Sequence, residues 1–288
     1  MKDAMTAAQG PALPGNSIGR ILLDAGKITA ADAEKVLAFK QRQGLRFGEA
    51  AVQLKLISES DLQFALATQF SYSYIKPGGA PFARELIAAY QPWSRQVEVL
   101  RGVRTQLLLR WFDAQHRALA VVSPRAGDGR SYVAANLAIV CSQLGERTLL
   151  IDADLRRSRL HTLFGLGNEK GLSSILAGRA GDDAIAAVTA MRGLSVLPAG
   201  PEPPNPQELL AGREFEQLLQ LLAARYDVIL LDTTETETAA DALMVASRAG
   251  GVVVIGRKHY SRVAELNALA EKLAGAGAEV VGTVLNEF

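Results

Sequence analysis

The sequence predicts an α/β fold: a mostly parallel sheet covered by helices, preceded by a small helical repeat domain. Three observations carry this reading. Short apolar runs alternate with helical stretches from Arg117 onward. One of those runs passes through a Gly-rich turn straight into a helix. A 29-residue repeat occupies the region before them.

The 288 residues suffice for two domains. The amino terminus, MKDAMTAAQGPALPGNS, lacks the apolar core of a secretory signal, and residues 1–16 read as a disordered leader. The repeat follows, over 17–75. SIGRILLDAGKITAADAEKVLAFK aligns with RFGEAAVQLKLISESDLQFALATQ, so that Gly19 matches Gly48, Ile28 matches Ile57, Asp32 matches Asp61 and Leu37 matches Leu66. Thr29 and Ser58 each stand three residues before an Asp, the signature of a capped helix with a carboxylate in its first turn. Each unit therefore predicts a short helix, a break and a second, amphipathic helix. Pro77, Gly78, Gly79 and Pro81 interrupt the next stretch, which reads as a linker over 76–93.

The remaining residues, 94–288, form the predicted α/β domain. Its first helix carries Val97, Leu100, Val103, Leu107 and Trp111 on one apolar stripe, with Glu98, Arg101 and Arg104 on a neighbouring one. The strands are Ala118–Val122, Thr148–Ile151, Leu194–Leu197, Asp227–Leu231, Gly251–Ile255 and Glu279–Leu285, with helical patterns such as Tyr132–Leu144 and Gln207–Ala224 between them. Apolar strands separated by helices imply a parallel sheet covered on both faces, which binds ligands at the carboxyl ends of its strands.

Composition narrows the function classes. Lys plus Arg (31) nearly balances Asp plus Glu (30), which gives no electrostatic reason for nonspecific nucleic-acid binding. The single cysteine, Cys141, excludes an internal disulfide framework, fits a reducing compartment and reads as a helix-packing residue. No run of eighteen or more apolar residues occurs, so no transmembrane segment is expected and the chain is expected to be cytoplasmic.

The chemistry concentrates at SPRAGDGRS, Ser123 to Ser131. Strand, Gly-rich turn and helix are the context of a phosphate loop. Gly127 and Gly129 permit backbone conformations closed to other residues, and the helix-opening N–H groups with the positive dipole end meet phosphates. Ser131 is placed for Mg²⁺. The general G-x-x-x-x-G-K-[ST] pattern is not matched: Pro124 replaces its first Gly and Arg130 its Lys. Asp152 and Asp154 stand two apart at a strand end, where both point the same way if the strand persists, and Asp232 ends another strand. Three such carboxylates beside a phosphate loop make a Mg²⁺ site, against the alternative that each is a solvated loop acid. The reading is a P-loop NTPase domain.

SPRAGDGRSYVAANLA, TLLIDADLRRSRLHTLFGL, GLSSILAG, LPAGPEPPNPQELL and YDVILLDT resemble, in order and spacing, the bacterial tyrosine kinases of exopolysaccharide chain-length determination, within the MinD/ParA-like group of P-loop proteins. The likeness covers 96–288. It implies that Ser123–Ser131 is the Walker A loop, with nucleotide contacts on Gly127, Asp128, Gly129, Arg130, Ser131 and Tyr132. It implies that Asp152 assists the attacking tyrosine hydroxyl, with Asp154 beside it at the Mg²⁺, and that Arg130 stands in the catalytic lysine's place. Ser131, Asp154 and Asp232 would hold Mg²⁺, and Asn286 would contact adenine. Glu98, Arg101 and Arg104 match the E-x-x-R-x-x-R motif that joins subunits in ring oligomers, which makes the helix over 94–112 the expected homo-oligomer contact. A solvated helix face is the alternative for that stripe.

Three features depart from the family. Arg keeps the charge of the Walker Lys, but its planar fork contacts phosphates differently. The strand-end Asp232 is usually followed by a Pro-rich segment, whereas here TTETET places Glu235 and Glu237 nearby. The family's tyrosine-rich tail and membrane segment are missing from the sequence; six tyrosines are scattered, with Tyr260 the candidate among them. The resemblance thus implies a separate membrane chain-length-determinant protein as activating partner, at the inner face of the plasma membrane.

The repeat resembles the amino-terminal domain of type II secretion and pilus ATPases, which binds cyclic di-GMP in some members. Arg46, Gly48 and Gln69 stand at that motif's positions in the second unit. The first unit has Ser17 and Lys40 at the Arg and Gln positions, and Lys55 takes a Gly position. A docking or packing module is the alternative. Three functions follow for the whole: an ATP-dependent protein-tyrosine kinase of exopolysaccharide polymerisation and export, a nucleotide-gated assembly or regulatory protein of the same system, or a MinD/ParA-like ATPase.

Overall fold

The structure is a computed structural model that describes residues 17–69, 75, 79–237 and 240–287. The leader expected over 1–16 lies outside the described residues. The chain divides into two compact units, Met1–Lys76 and Pro77–Phe288.

The first unit contains α1 (Ile18–Asp24), α2 (Ala30–Gln43), α3 (Phe47–Gln53) and α4 (Glu59–Gln69). The capping signatures act as the sequence implies. Asp32 N–H donates to the Thr29 hydroxyl at 3.2 Å and Asp61 N–H to the Ser58 hydroxyl at 3.1 Å, with each Asp carboxylate accepting the cap residue's own N–H. Leu22, Ile28, Ala33, Val36, Phe47, Ala50, Ala51, Ile57 and Ala65 form the core, drawn from both repeats. Gly48 has a packing reason to lack a side chain: a Cβ there would lie 2.2 Å from Leu62 Cδ1.

The repeat also persists in the backbone where the residue changes. Gly26 has φ +64° and its counterpart Lys55 has φ +55°. The left-handed conformation costs an L-residue about 1 kcal/mol that Gly does not incur. Lys55→Gly is therefore expected to stabilise this unit by about 1 kcal/mol, read as a higher urea midpoint by circular dichroism.

The second unit opens with α5 (Ile87–Tyr90) and α6 (Arg95–Arg110). From residue 79 the stretch expected as a linker packs within this unit. The Asn136 side chain accepts from Ala88 N–H and donates to Glu85 O, both at 2.9 Å, and Leu86, Ala88 and Ala89 are fully buried. The unit continues through β1 (Ala118–Val122), α7 (Arg130–Leu144), β2 (Thr148–Asp152), α8 (Leu160–Phe164), α9 (Leu172–Leu176), β3 (Ala186–Ala187), β4 (Leu194–Leu197), α10 (Pro206–Ala211), α11 (Arg213–Ala223), β5 (Val228–Asp232), α12 (Asp241–Ala249), β6 (Gly251–Arg257), α13 (Val263–Gly275) and β7 (Glu279–Asn286). The sheet order is β3-β4-β2-β5-β1-β6-β7, parallel throughout except for the antiparallel β3–β4 pair. The helix expected over 207–224 is two helices, broken at Gly212, whose backbone is extended.

The central strands are buried along their length, so their residues read as continuous apolar runs. Phe215, Leu218, Leu219 and Leu222 of α11 and Val245 of α12 pack on them. Cys141 is buried on α7, and burial pushes its thiol up to about 12, as a packing residue requires. Because β2, β5 and β1 are adjacent and parallel, the loops after them gather at the carboxyl end of the sheet.

Candidate nucleotide site

The loop between β1 and α7 is shaped by its glycines and braced by its acid. Gly127 and Gly129 take φ +80° and +99°, where a side chain would be strained. Asp128 is fully buried and faces the protein: its carboxylate accepts from Arg125 N–H at 2.9 Å and from the Ser261 hydroxyl at 2.7 Å. The Asn286 amide donates to Asp128 O at 3.2 Å, and Arg257 donates to Gly127 O at 3.3 Å. The ends of β6 and β7 thus fix the loop from outside. Tyr132, in the first turn of α7, is half-buried, which pushes its phenol up.

Three carboxylates meet this loop. Asp152 and Asp232 pair in register across β2 and β5, and both are buried. Asp152 accepts from Arg159 N–H at 3.0 Å, Leu160 N–H at 2.9 Å and Asp154 N–H at 3.2 Å. Burial and then the Asp232 charge still push its carboxyl well above the usual range. Asp232 is pushed up to about 6 by burial, against the pull of the Ser131 hydroxyl bonded to it and of Arg130. The strand does not persist to Asp154: β2 ends at Asp152, so the strand alternation does not orient the second acid. Asp154 instead accepts from Arg156 and Arg157 N–H in a loop, at 3.2 and 2.9 Å, and burial raises its pKa.

Arg130 is 8% exposed and turned onto its own loop and the segment that follows β5. Its Nε donates to Thr233 O at 2.8 Å, its Nη1 to the Ser123 hydroxyl at 2.5 Å and to Arg125 O at 2.9 Å, and its Nη2 to Glu235 Oε2 at 3.3 Å. Glu235, which the sequence marked only as added negative charge, is buried and also pairs with Arg157 at 3.2 Å. Glu237 is exposed; its backbone N–H bonds Pro124 O at 3.0 Å. Sequence reasoning missed Ser123 and Glu235 as partners of the loop cation, and Arg157 as the second partner of Glu235. The one available signal was that Arg130 and Glu235 are both departures from one pattern.

The oxygen donors fit a hard cation. The Asp232 Oδ1 and Thr234 Oγ1 atoms are buried without a hydrogen-bond partner, beside the Ser131 hydroxyl. Mg²⁺ typically takes one or two carboxylates and keeps several waters, which matches this sparse set. Among the described residues no group of three or more His, Cys, Asp or Glu is arranged as a metal cage.

On α6, the expected apolar stripe faces inward through Val97, Leu100, Leu107 and Trp111. Arg104 donates to Val140 O on α7 at 2.8 Å, and Arg101 donates to Pro92 O at 2.7 Å and pairs with Glu98. The two arginines are therefore engaged inside the unit, while the third member of the stripe, Glu98, is exposed. Tyr260 is exposed, with the Arg125 and Arg257 guanidinium carbons 5.8 and 5.1 Å from its ring centre. In the first unit Arg46 is exposed, Gln69 half-buried and Gly48 buried against Leu62. Among the described residues no helix is long and apolar enough to cross a membrane.

The family model for cellulose biosynthesis protein BcsQ matches residues 116–263. The tyrosine-protein kinase wzc of Salmonella typhimurium is 35% identical over 204 residues, 71% of this chain and 28% of that protein. The tyrosine-protein kinase YwqD of Bacillus subtilis is 34% identical over 211 residues, 73% of this chain and 89% of its own length. Among solved structures, the kinase domain of the Escherichia coli tyrosine kinase ETK superposes with a TM-score of 0.68 at 32% identity, over 70% of this chain and 79% of that one. The chain thus spans under a third of one curated relative and most of another.

Proposed function

The chain belongs to the bacterial tyrosine-protein kinase family, and on that premise we propose that it is an ATP-dependent protein-tyrosine kinase of exopolysaccharide assembly. The observation that carries this reading is the meeting of the Ser123–Ser131 loop with Asp152, Asp154 and Asp232 at the ends of β1, β2 and β5. ATP sits on the loop, where backbone N–H groups at the start of α7 and its dipole face the phosphates. Ser131, Asp154 and Asp232 would hold Mg²⁺, which would supply neutralisation of phosphate charge. Asp152, fixed by three backbone N–H groups and raised in basicity by burial, takes the proton from a tyrosine hydroxyl. The phenol oxygen forms its bond to the γ-phosphorus while the bond to the departing ADP breaks. Asn286 bounds the site where adenine would lie.

The partner in this reading is a membrane chain-length-determinant protein, which activates the chain at the inner face of the plasma membrane. The Glu98 side chain is 61% exposed, which supports an intersubunit role for α6 in a ring; Arg101 and Arg104 then act by setting that helix. For the helical unit we read a packing or docking module, because Gly48 is explained by Leu62. Titration with cyclic di-GMP is expected to show no saturable binding, and a micromolar Kd would reverse that.

Purified chain with Mg²⁺, ATP and a membrane partner should form phosphotyrosine, and Asp152→Asn should abolish it. ATP binding with no phosphotyrosine would sink the kinase reading in favour of a nucleotide-gated assembly protein, which the engagement of Arg130 by its own loop and by the segment after β5 favours as the second reading. Arg130→Lys discriminates further. An ammonium has three donors on a flexible stem and cannot keep four contacts to four groups. It is expected to transfer phosphate roughly tenfold faster, because a compact cation freed from the loop reaches the phosphates.

A further inference from the structure

We propose that Glu235 is a positioning residue that acts through Arg130, competing with nucleotide phosphate for the loop guanidinium and so setting the affinity of the site. This rests on the nucleotide-binding part of the function proposed above, and not on phosphoryl transfer.

A guanidinium offers five N–H donors and no acceptor. Four contacts of Arg130 are taken by Thr233 O, Ser123 Oγ, Arg125 O and Glu235 Oε2. The first three staple the loop and carry no net charge. Only Glu235 brings a full negative charge, on the Nη2 arm, in a pair whose side chains are 9% and 7% exposed. Burial makes that pairing strong while phosphate is away. It also makes a retained carboxylate costly beside an arriving polyphosphate, because like charges in a desolvated site cannot both stay ionised cheaply.

Glu235 has a second cation ready. Its Oε1 lies 3.2 Å from Arg157 Nη1, whose side chain is 68% exposed, and the Arg157 backbone N–H is tied to Asp154. When phosphate takes the Nη2 arm of Arg130, Arg157 remains to neutralise Glu235. The affinity of the site therefore carries the cost of exchanging one anion for another on Arg130. A merely structural Glu235 would hold the loop together, and its loss would weaken binding.

Calorimetric titration of the full chain with Mg–ATP and with Mg–ADP at pH 7.5 tests this. Glu235→Gln is expected to bind about tenfold tighter than the native chain. Glu235→Asp, which shortens the reach by one methylene and keeps the charge, is expected to gain less, and it reports should the Gln variant fail to fold. In an Arg130→Met background, Glu235→Gln is expected to gain under about twofold, because the residue through which Glu235 acts is gone. Unchanged or weaker binding in Glu235→Gln overturns the proposal, as does an equal gain in the Arg130→Met background, which would indicate simple repulsion of the phosphates. A chain that shows the expected cycle but forms no phosphotyrosine loses the kinase reading and keeps this one. A chain in which no variant binds nucleotide loses both.

Discussion

Asp232→Asn should make the ligand-free chain more stable at pH 7.5 while abolishing its Mg²⁺-dependent nucleotide binding. The carboxylate is 1% exposed, and its Oδ1 has no hydrogen-bond partner. Burial pushes its pKa up to about 6, with Asp154 adding repulsion. For an acid whose pKa is higher folded than unfolded, the folded state binds the proton more tightly. Stability from this group is then fully present below the unfolded value near 4 and is lost as pH rises through about 6. Two pK units correspond to about 3 kcal/mol at most, of which Asn, equal in size and uncharged, recovers a part. The variant's gain in Tm should be seen at pH 7.5 and vanish near pH 4, where the native carboxyl is protonated. Mg²⁺ binding has the opposite dependence, because a ligating carboxylate must be ionised. In the native chain, Mg²⁺-dependent nucleotide affinity should fall as pH drops through 6. The variant should show none of that dependence and should transfer phosphate on the order of 10²-fold slower or less. A variant that is less stable at pH 7.5 would show that Asp232 is held by structural partners rather than kept for a cation.

What the sequence shows of this site is what short-range physics determines. The apolar runs at Ala118–Val122 and within Asp227–Leu231 are legible because strands buried on both faces need apolar residues throughout, and the turn at Gly127 and Gly129 because their dihedral angles exclude most side chains. Thr29 and Ser58 are legible as caps because donor and acceptor lie three residues apart. Other features are hidden, each for its own reason. Ala186–Ala187 pairs through two residues, too few to carry a pattern. Asp154 leaves the strand because its carboxylate closes a turn on Arg156 and Arg157 N–H. The hold of Glu235 on Arg130 joins residues more than a hundred positions apart, and charge alone did not show that the two departures from the family pattern meet. Lys55 hides its left-handed backbone, since only the alignment with Gly26 hints at it.

Gly171→Ala should cost the second unit several kcal/mol, and the reason links two motifs that are separate in sequence. GLSSILAG begins at Gly171, and LPAGPEPPNPQELL contains Pro198, Ala199 and Gly200. A Cβ on Gly171 would lie 2.2 Å from Gly200 N, 2.3 Å from Pro198 O and 2.6 Å from Ala199 C. All three are backbone atoms, so no side chain can swing aside. The φ of Gly171 is −176°, ordinary extended backbone, which leaves close approach as the requirement. That approach is sealed by Leu172 N–H to Pro198 O and Ser173 N–H to Ala199 O, each 2.8 Å, and by the Ser173 hydroxyl to Pro201 O at 2.7 Å. Pro198 directly follows β4, which pairs with β2, the strand that ends in Asp152. Forcing the segments apart forfeits these bonds and strains β4, and overpacking alone costs about 1–3 kcal/mol. Trp93 and Trp111 both lie in the second unit, so selectively excited tryptophan fluorescence reports its unfolding alone. The urea midpoint should fall sharply in Gly171→Ala. In the comparison variant Gly178→Ala, the site has φ +68° and nothing within 4 Å of a Cβ, so only the conformational cost of about 1 kcal/mol applies. Equal losses in the two variants would mean that the approach of Gly171 to Pro198–Gly200 is not what holds α9 to the end of β4.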